Sequence, residues 1–518
     1  MNTTSSTTTD PASTETFARL AALRAEAATL GSVSALLAWD QETYLPDAGA
    51  EARSAQTGLM ATLVHQRATD PRITDLLAEC EADPELNAQG SLTSAELREI
   101  RRDYELATKL PESLVRDLAE TGSKAQQAWR GARANNDFKS FQPLLQRMVE
   151  LTQAKALAYG VPAGGELYDA LINEYEPDAR AADIAAVFAP LKVRLSDFIK
   201  AIADNGTGPD TSMLDTQIPE SAQHAFGLEV LGAIGFDLNA GRLDTTTHPF
   251  CEGLAPGDTR LTTRYRESRF TDALYGTMHE GGHGLYEQGL PKSVATCGMP
   301  STEAVSLGIH ESQSRLWENF VGRSAAFWTW AKPIADKHFG DALAGVSTEQ
   351  LTAAVNTATP SLVRVEADEG TYNLHVMLRF ELERALLAGD LAVKDLPGAW
   401  NEKFKEFFGL AVPDDASGCL QDVHWSFGLI GYFPTYTLGN LYAAQLWDAI
   451  NEQITDLDTK MARGEFGELL GWLRTNIHAH GRRYSAAELC QRATGKPLSA
   501  DPLMAHLERR IKPAYGMG

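Results

Sequence analysis

His279-Glu280-Gly281-Gly282-His283 carries the residue types of a catalytic metal site at the spacing a helix requires. Four residues apart on a helix, two imidazoles stack on one face and reach one ion. The carboxylate beside the first lies about 100° round the helix and addresses a water on that ion. Zinc used in catalysis needs a third protein ligand and an open coordination position. Glu311, in the run Gly308-Ile309-His310-Glu311-Ser312, offers the third, 28 residues after His283, a gap that fits two helices joined by a loop. Spacing alone leaves His310 as an alternative ligand, and a solvated helix face carrying Glu311 and Glu318 fits the same pattern. Gly281, Gly282 and Gly284 each weaken a helix by about 0.5–1 kcal/mol relative to alanine. They point to close approach by another backbone or a ligand, although helix packing alone also accounts for them.

The elements that must position these groups are mostly helices. Apolar residues recur at three- and four-residue steps over Phe17–Ala35, Leu144–Tyr159, Ile184–Ile202, Thr302–Val321, Ala325–His338, Val376–Leu387 and Leu438–Met461. Strand-like windows are rare. Arg260–Tyr265 alternates with period two, and Thr246–Cys251 before it, with a turn at Ala255–Asp258, predicts a small antiparallel hairpin. With no fixed repeat and no low-complexity linker after residue 14, the expected organisation is a mainly α body over residues 14–518 as a single domain. Residues 1–13, almost all Thr, Ser, Asn and Asp, read as a disordered tail without the features of a signal peptide.

A hydrophobic fraction of 43% over 518 residues supports a large core and excludes wholesale disorder. The 46 Lys and Arg against 69 Asp and Glu leave a net charge of −23, which argues against nucleic acid or anionic lipid as a partner. Five cysteines, Cys80, Cys251, Cys297, Cys419 and Cys490, have no CxxC spacing, so a reducing cytoplasm fits and a disulfide framework does not. No apolar run of about 18 residues predicts a membrane span.

Beyond the H-E-G-G-H run, the chain resembles the carboxypeptidase Taq family of zinc-dependent carboxypeptidases. The matching segments are Trp39-Asp40-Gln41-Glu42-Thr43, His248-Pro249-Phe250, Asp258-Thr259-Arg260-Leu261-Thr262, His310-Glu311-Ser312-Gln313, Arg364-Val365-Glu366-Ala367-Asp368 and Gly418-Cys419-Leu420-Gln421-Asp422-Val423-His424-Trp425. Two more are Gly431–Asn440 and Asn476–Gly481, so the resemblance runs from about residue 15 to the end. Val363 stands where the family usually has Ile, a loss of one methylene. The resemblance implies an elongated helical zincin-type body with a deep central groove, usually a homodimer. It makes His279, His283 and Glu311 the ligands of one zinc ion per subunit, which cobalt can replace, and Glu280 the general base; it favours Glu311 over His310.

Hydrolysis of a peptide bond also needs a donor for the oxyanion, and His424 and Tyr436 are the candidates, against the plain alternative that their aromatic-rich stretch is core. An exopeptidase acting at the C-terminus must bind a free carboxylate, for which Arg offers two parallel charge-assisted hydrogen bonds. Arg364 is the first choice because its motif resembles the family's substrate-binding arginine; Arg260 and Arg264 are reserves and His248 lines the groove. Asp368, one turn on, is the structural partner Arg364 would otherwise have, and His478 and His480 read as structural. The expected function is release of single C-terminal residues from peptides with broad specificity. The alternatives are an oligopeptidase or dipeptidyl carboxypeptidase on the same fold, or a non-catalytic peptide or metal binder, against which Glu280 speaks. In so acidic a chain, an arriving carboxylate needs a local positive patch, which the metal and Arg364 would form.

Overall fold

Amphipathic periodicity closes most of the chain into helices. A computed structural model describing residues 11–517 has them at Pro11–Thr43, Phe138–Tyr159, Ala181–Asn205, Ala325–Phe339 and Glu369–Ala388, each enclosing the helix expected there. Two helix expectations are corrected. The pattern over Leu438–Met461 divides into Pro434–Gln453 and Leu457–Met461, because Asp456 takes a left-handed φ of 57° between them. The helix expected from Thr302 begins only at Leu307, where the Ser306 hydroxyl accepts from the Ile309 N–H and ends the irregular segment before it. Of the tail expected at residues 1–13, residues 1–10 lie outside the described residues, and the first helix begins at Pro11.

The sheet is mixed rather than antiparallel. Strands β1 (Gly241–Thr245), β2 (Cys251–Ala255) and β3 (Asp258–Thr263) lie in the order β1-β3-β2, with β1 parallel to β3 and β2 antiparallel to it. The hairpin turn falls on Pro256-Gly257, where Gly257 at φ +81° supplies the left-handed position a type II turn needs after proline. β1 escapes sequence reading because a short connection, residues 246–250, carries the chain across to the far side of β3 before β2 begins.

Most buried apolar side chains form one large core, in which Trp317, Trp328 and Trp400 are fully covered. Leu20, Ile73, Leu76, Leu77, Leu97 and Ile100 form a separate small core between the N-terminal helices. Those helices meet the main body partly through Arg482, which bonds Glu99 and Asp103, and through Arg24, which donates to the Gly298 carbonyl at 3.2 Å. Within the first helix, one 18-residue window of Glu15–Thr43 reaches a mean hydropathy of 1.3, so by length and composition alone it matches a membrane span. Its apolar character comes from leucines, Val33 and alanines that outnumber the charges of Arg24 and Glu26. In the fold it packs along Ala50–Ala68 and Arg72–Ala82, with Leu20 and Trp39 buried.

Candidate metal centre

His279 and His283 stand on the Phe270–Gly289 helix and Glu311 on the Leu307–Arg315 helix. The two helices meet backbone to backbone, since a Cβ on Gly282 would lie 2.5 Å from the Gln313 carbonyl oxygen. Gly281 and Gly284 serve the other flanks, where a Cβ would stand 2.7 Å from Leu231 and 2.7 Å from Phe236. The glycines that weaken this helix in isolation therefore let it be packed closely on three sides.

Nε2 of His283 lies 3.4 Å and Nε2 of His279 3.6 Å from Glu311 Oε2, and the three ligand atoms fall within 4.8 Å of one another. The two nitrogen–oxygen separations exceed ordinary hydrogen bonds. They match the edge of a tetrahedron, roughly 3.3–3.5 Å, for metal–ligand bonds of about 2.0–2.1 Å. The opposite ring nitrogens are fixed as a metal site requires. Nδ1 of His279 is 2.8 Å from Glu318 Oε2, so Nδ1 donates to that carboxylate and Nε2 is the nitrogen left facing the cluster. Nδ1 of His283 is 2.5 Å from Nδ1 of His310, whose Nε2 is 2.8 Å from Glu287 Oε1. His310 thus donates to Glu287 and accepts from His283, which frees Nε2 of His283 by one relay. His310 stands behind His283; of the two residues that spacing left open, Glu311 joins the cluster that could hold a metal ion.

Glu311 accepts from Arg315 Nε at 2.6 Å and from the Ser314 hydroxyl at 3.0 Å. Burial opposes its ionisation, but Arg315 and His279 hold the carboxyl well below its usual range. A Cβ on Gly439 would stand 2.5 Å from Glu311 Cγ, so the Pro434–Gln453 helix presses Glu311 from behind. Glu318, on the π-helical segment Leu316–Val321, also accepts from Arg315 Nη1 at 3.3 Å and Arg323 Nη2 at 3.4 Å. Glu280 is 6% exposed, and burial pushes its carboxyl up to about 7, with His279 opposing and Glu311 adding to the shift.

A second cluster adjoins the first. Arg364 donates through Nε at 3.1 Å and Nη2 at 2.8 Å to Asp422 Oδ1, and through Nη1 at 2.9 Å to the Tyr372 hydroxyl. Its ion-pair partner is therefore Asp422; Asp368 instead caps the Glu369–Ala388 helix, accepting from the Thr371 N–H at 3.0 Å. Arg379 Nε donates to the other Asp422 oxygen at 2.7 Å, so one carboxylate serves two guanidinium groups. Among the described residues, one N–H on each terminal nitrogen of Arg364 has no partner. The Arg364 guanidinium lies 5.3 Å from the Tyr436 ring centre, and Tyr436 packs edge-on to Tyr432 at 5.4 Å. His424 lies tilted against Phe433 at 4.5 Å between ring centres, its buried Nδ1 without a hydrogen-bond partner among the described residues. Burial holds the His424 imidazole down at about 4. The two clusters are joined by Arg315, which holds Glu311 on one side and lies 4.6 Å from the Tyr372 ring centre on the other.

The structure does not bond Arg260 or His248 to either cluster. Arg260 spends its fork on Asp258, at 3.0 and 2.9 Å, and covers the Trp39 ring at 4.2 Å. His248 is exposed on the loop before β2, and Arg264 is exposed with one long contact to the Thr247 carbonyl at 3.5 Å. His478 is buried, 2.9 Å from Gln313 Oε1. Sequence reasoning missed Arg315, Tyr372, Arg379 and Tyr432 and met Glu318 only within the alternative of a solvated helix face. The helical steps Glu311-Arg315-Glu318 were a usable signal of an ion-pair ladder. Arg379 and Asp422, 43 residues apart, had none.

Comparison with known proteins gives a consistent result. The family described as carboxypeptidase Taq (M32) metallopeptidase matches residues 19–511. Thermostable carboxypeptidase 1 of Thermus thermophilus is 47% identical over 507 residues, covering 96% of this chain and 99% of that protein. Carboxypeptidase 1 of Bacillus subtilis is 36% identical over 93% of this chain and 95% of its own. The crystal structure of an M32 carboxypeptidase from Deinococcus radiodurans superposes with a TM-score of 0.93 at 42% identity, covering 97% of this chain and all of that one.

Proposed function

Because the chain belongs to the carboxypeptidase Taq (M32) family of metallopeptidases and is a peptidase that uses a divalent metal, we propose that it releases single C-terminal residues from peptides with broad specificity, using zinc. The metal, one ion per subunit and replaceable by cobalt, is held by His279, His283 and Glu311. When bound it supplies Lewis acidity toward water and the scissile carbonyl. Glu280 takes the proton of the attacking water and passes it to the leaving amine, for which a carboxyl raised by burial is matched to neutral pH. Tyr436 and His424 donate to the oxyanion, and the free N–H groups of Arg364 receive the substrate carboxylate. Nothing in their bonding supports Arg260 or His248 in that role.

The observation that carries this reading is the connection from Glu311 through Arg315 and Tyr372 to Arg364, which sets a buried cation beside the metal ligands. An endopeptidase has no use for such an anchor. The unpaired cysteines suit a cytoplasmic enzyme, and the homodimer is proposed from the family. The test is an N-blocked tetrapeptide incubated with and without chelator, its products identified by mass. Stepwise loss of one C-terminal residue, abolished by chelator and by Glu280→Gln, is expected. An internal cut or release of dipeptides would refute the exopeptidase reading, and undiminished activity in Glu280→Gln would remove the general base.

A further inference from the structure

The loop bearing Asp422, His424 and Tyr432 is tied down by a group the mechanism does not use. Glu383, on the Glu369–Ala388 helix, is fully buried. Its Oε1 accepts from Trp425 Nε1 at 2.8 Å, and its Oε2 from the Tyr168 hydroxyl at 2.7 Å and the Gly431 N–H at 3.1 Å. Trp425 directly follows His424, and Gly431 directly precedes Tyr432. One carboxylate therefore grips both ends of the 425–431 loop, and the side chains flanking the grip are the imidazole and phenol that face each other at 5.6 Å between ring centres. Gly431 holds φ at +93°, and a Cβ there would lie 3.0 Å from the Ile172 amide nitrogen. The loop end is thereby seated on the short helix Leu167–Ile172, which also carries Tyr168.

A buried carboxylate is a poor choice for stability alone. Its three hydrogen-bond donors are neutral, burial pushes it up to about 7, and the nearby Arg379 is bonded to Asp422. Apolar side chains of similar volume commonly do as well or better in such places. What an apolar residue cannot do is accept from two loop ends at once. We propose that Glu383 is a positioning residue of the hydrolysis, holding His424 in its working place against Tyr432 by clamping both ends of the loop between them. The inference rests on the role proposed above for His424.

The test is a double-mutant cycle on the metal-loaded enzyme with an N-blocked dipeptide, reading kcat, KM, metal content and Tm for Glu383→Gln, His424→Gln and the pair. Glutamine keeps one acceptor and loses the grip on one loop end. Misplacement of a reacting group by about 1 Å costs about 100-fold, so Glu383→Gln is expected to lower kcat about 10- to 100-fold with KM within about twofold and metal retained. On the His424→Gln background it should cost less than about twofold, because the group it positions is already gone. Equal losses on both backgrounds, or a loss explained by missing metal or fold, would overturn the positioning role. Wild-type kcat in His424→Gln would instead overturn the role of His424, and the coupling with it. If Glu383→Gln does not fold, Tyr168→Phe removes one clamp donor and is held to the same comparison.

Discussion

Gly282 and Gln313 face each other across the line where the two helices bearing the proposed ligands touch: the Gly282 Cα has no room for a methyl group, because a Cβ would stand 2.5 Å from the Gln313 carbonyl oxygen and 2.7 Å from the Ser314 Cα. Both obstacles are backbone, so neither can turn aside. This contact sets how far Glu311 lies from the two imidazoles.

Gly282→Ala is therefore expected to push the helices apart. Overpacking of this kind costs about 1–3 kcal/mol, and here the displacement falls directly on the ligand separation. Metal content after dialysis should drop and Tm should fall. Gly281→Ala is the control: its nearest obstacle is the end of the flexible Leu231 side chain, at 2.7 Å, so metal content should hold. Equal retention of metal by both variants would show that the contact does not govern the site.

Glu318→Gln tests the support behind His279. The carboxylate fixes the proton on Nδ1 at 2.8 Å, and loss of such a partner typically weakens metal binding 10- to 100-fold. Competition with a chelator should report a shift of about that size, while kcat at saturating metal stays near wild type. An unchanged affinity would mean that helix packing alone orients the imidazole.

Much of this centre was legible before any coordinates. The i, i+4 histidines and the neighbouring glutamate obey helical geometry, which a sequence records directly, whereas Glu311 is preferred over His310 only through the family resemblance. The three glycines marked close approach, and the structure gives each a different neighbour. What stayed hidden depends on helices distant in sequence: Asp422 rather than Asp368 pairs with Arg364, and Arg379 joins them from a third segment. A nearest-in-sequence ion pair is a local guess, and here helix capping claimed Asp368 first. The parallel strand was invisible for the same reason, since its partner lies beyond a crossing connection that carries no local signal.

Arg364→Ala is expected to separate substrate binding from metal binding. Asp422 keeps Arg379, so no buried carboxylate is stranded and the fold should survive. Hydrogen bonds to a charged group contribute about 1.5–3 kcal/mol, which corresponds to a rise in KM of about 10- to 150-fold on peptides with a free C-terminus. Metal content should be unchanged. Loss of metal, or an unaltered KM, would make Arg364 a purely structural ion pair.

Glu176 gives a pH prediction away from the ligands. It is buried where its carboxyl accepts from the Gly308 N–H at 3.0 Å and the Tyr442 hydroxyl at 3.3 Å, at the start of the helix that carries Glu311. Burial raises its pKa from 4.5 to about 7. A raised carboxyl pKa means that the folded chain keeps a proton the unfolded chain has released, so stability falls as pH rises from about 4.5 to about 7 and levels off above. Glu176→Gln mimics the protonated acid and removes that component. Denaturant unfolding at pH 5 and pH 8 should therefore show the variant gaining on wild type at the higher pH, with the difference developing between pH 5 and 7. A constant difference across that range would show that Glu176 is ionised throughout in the folded protein.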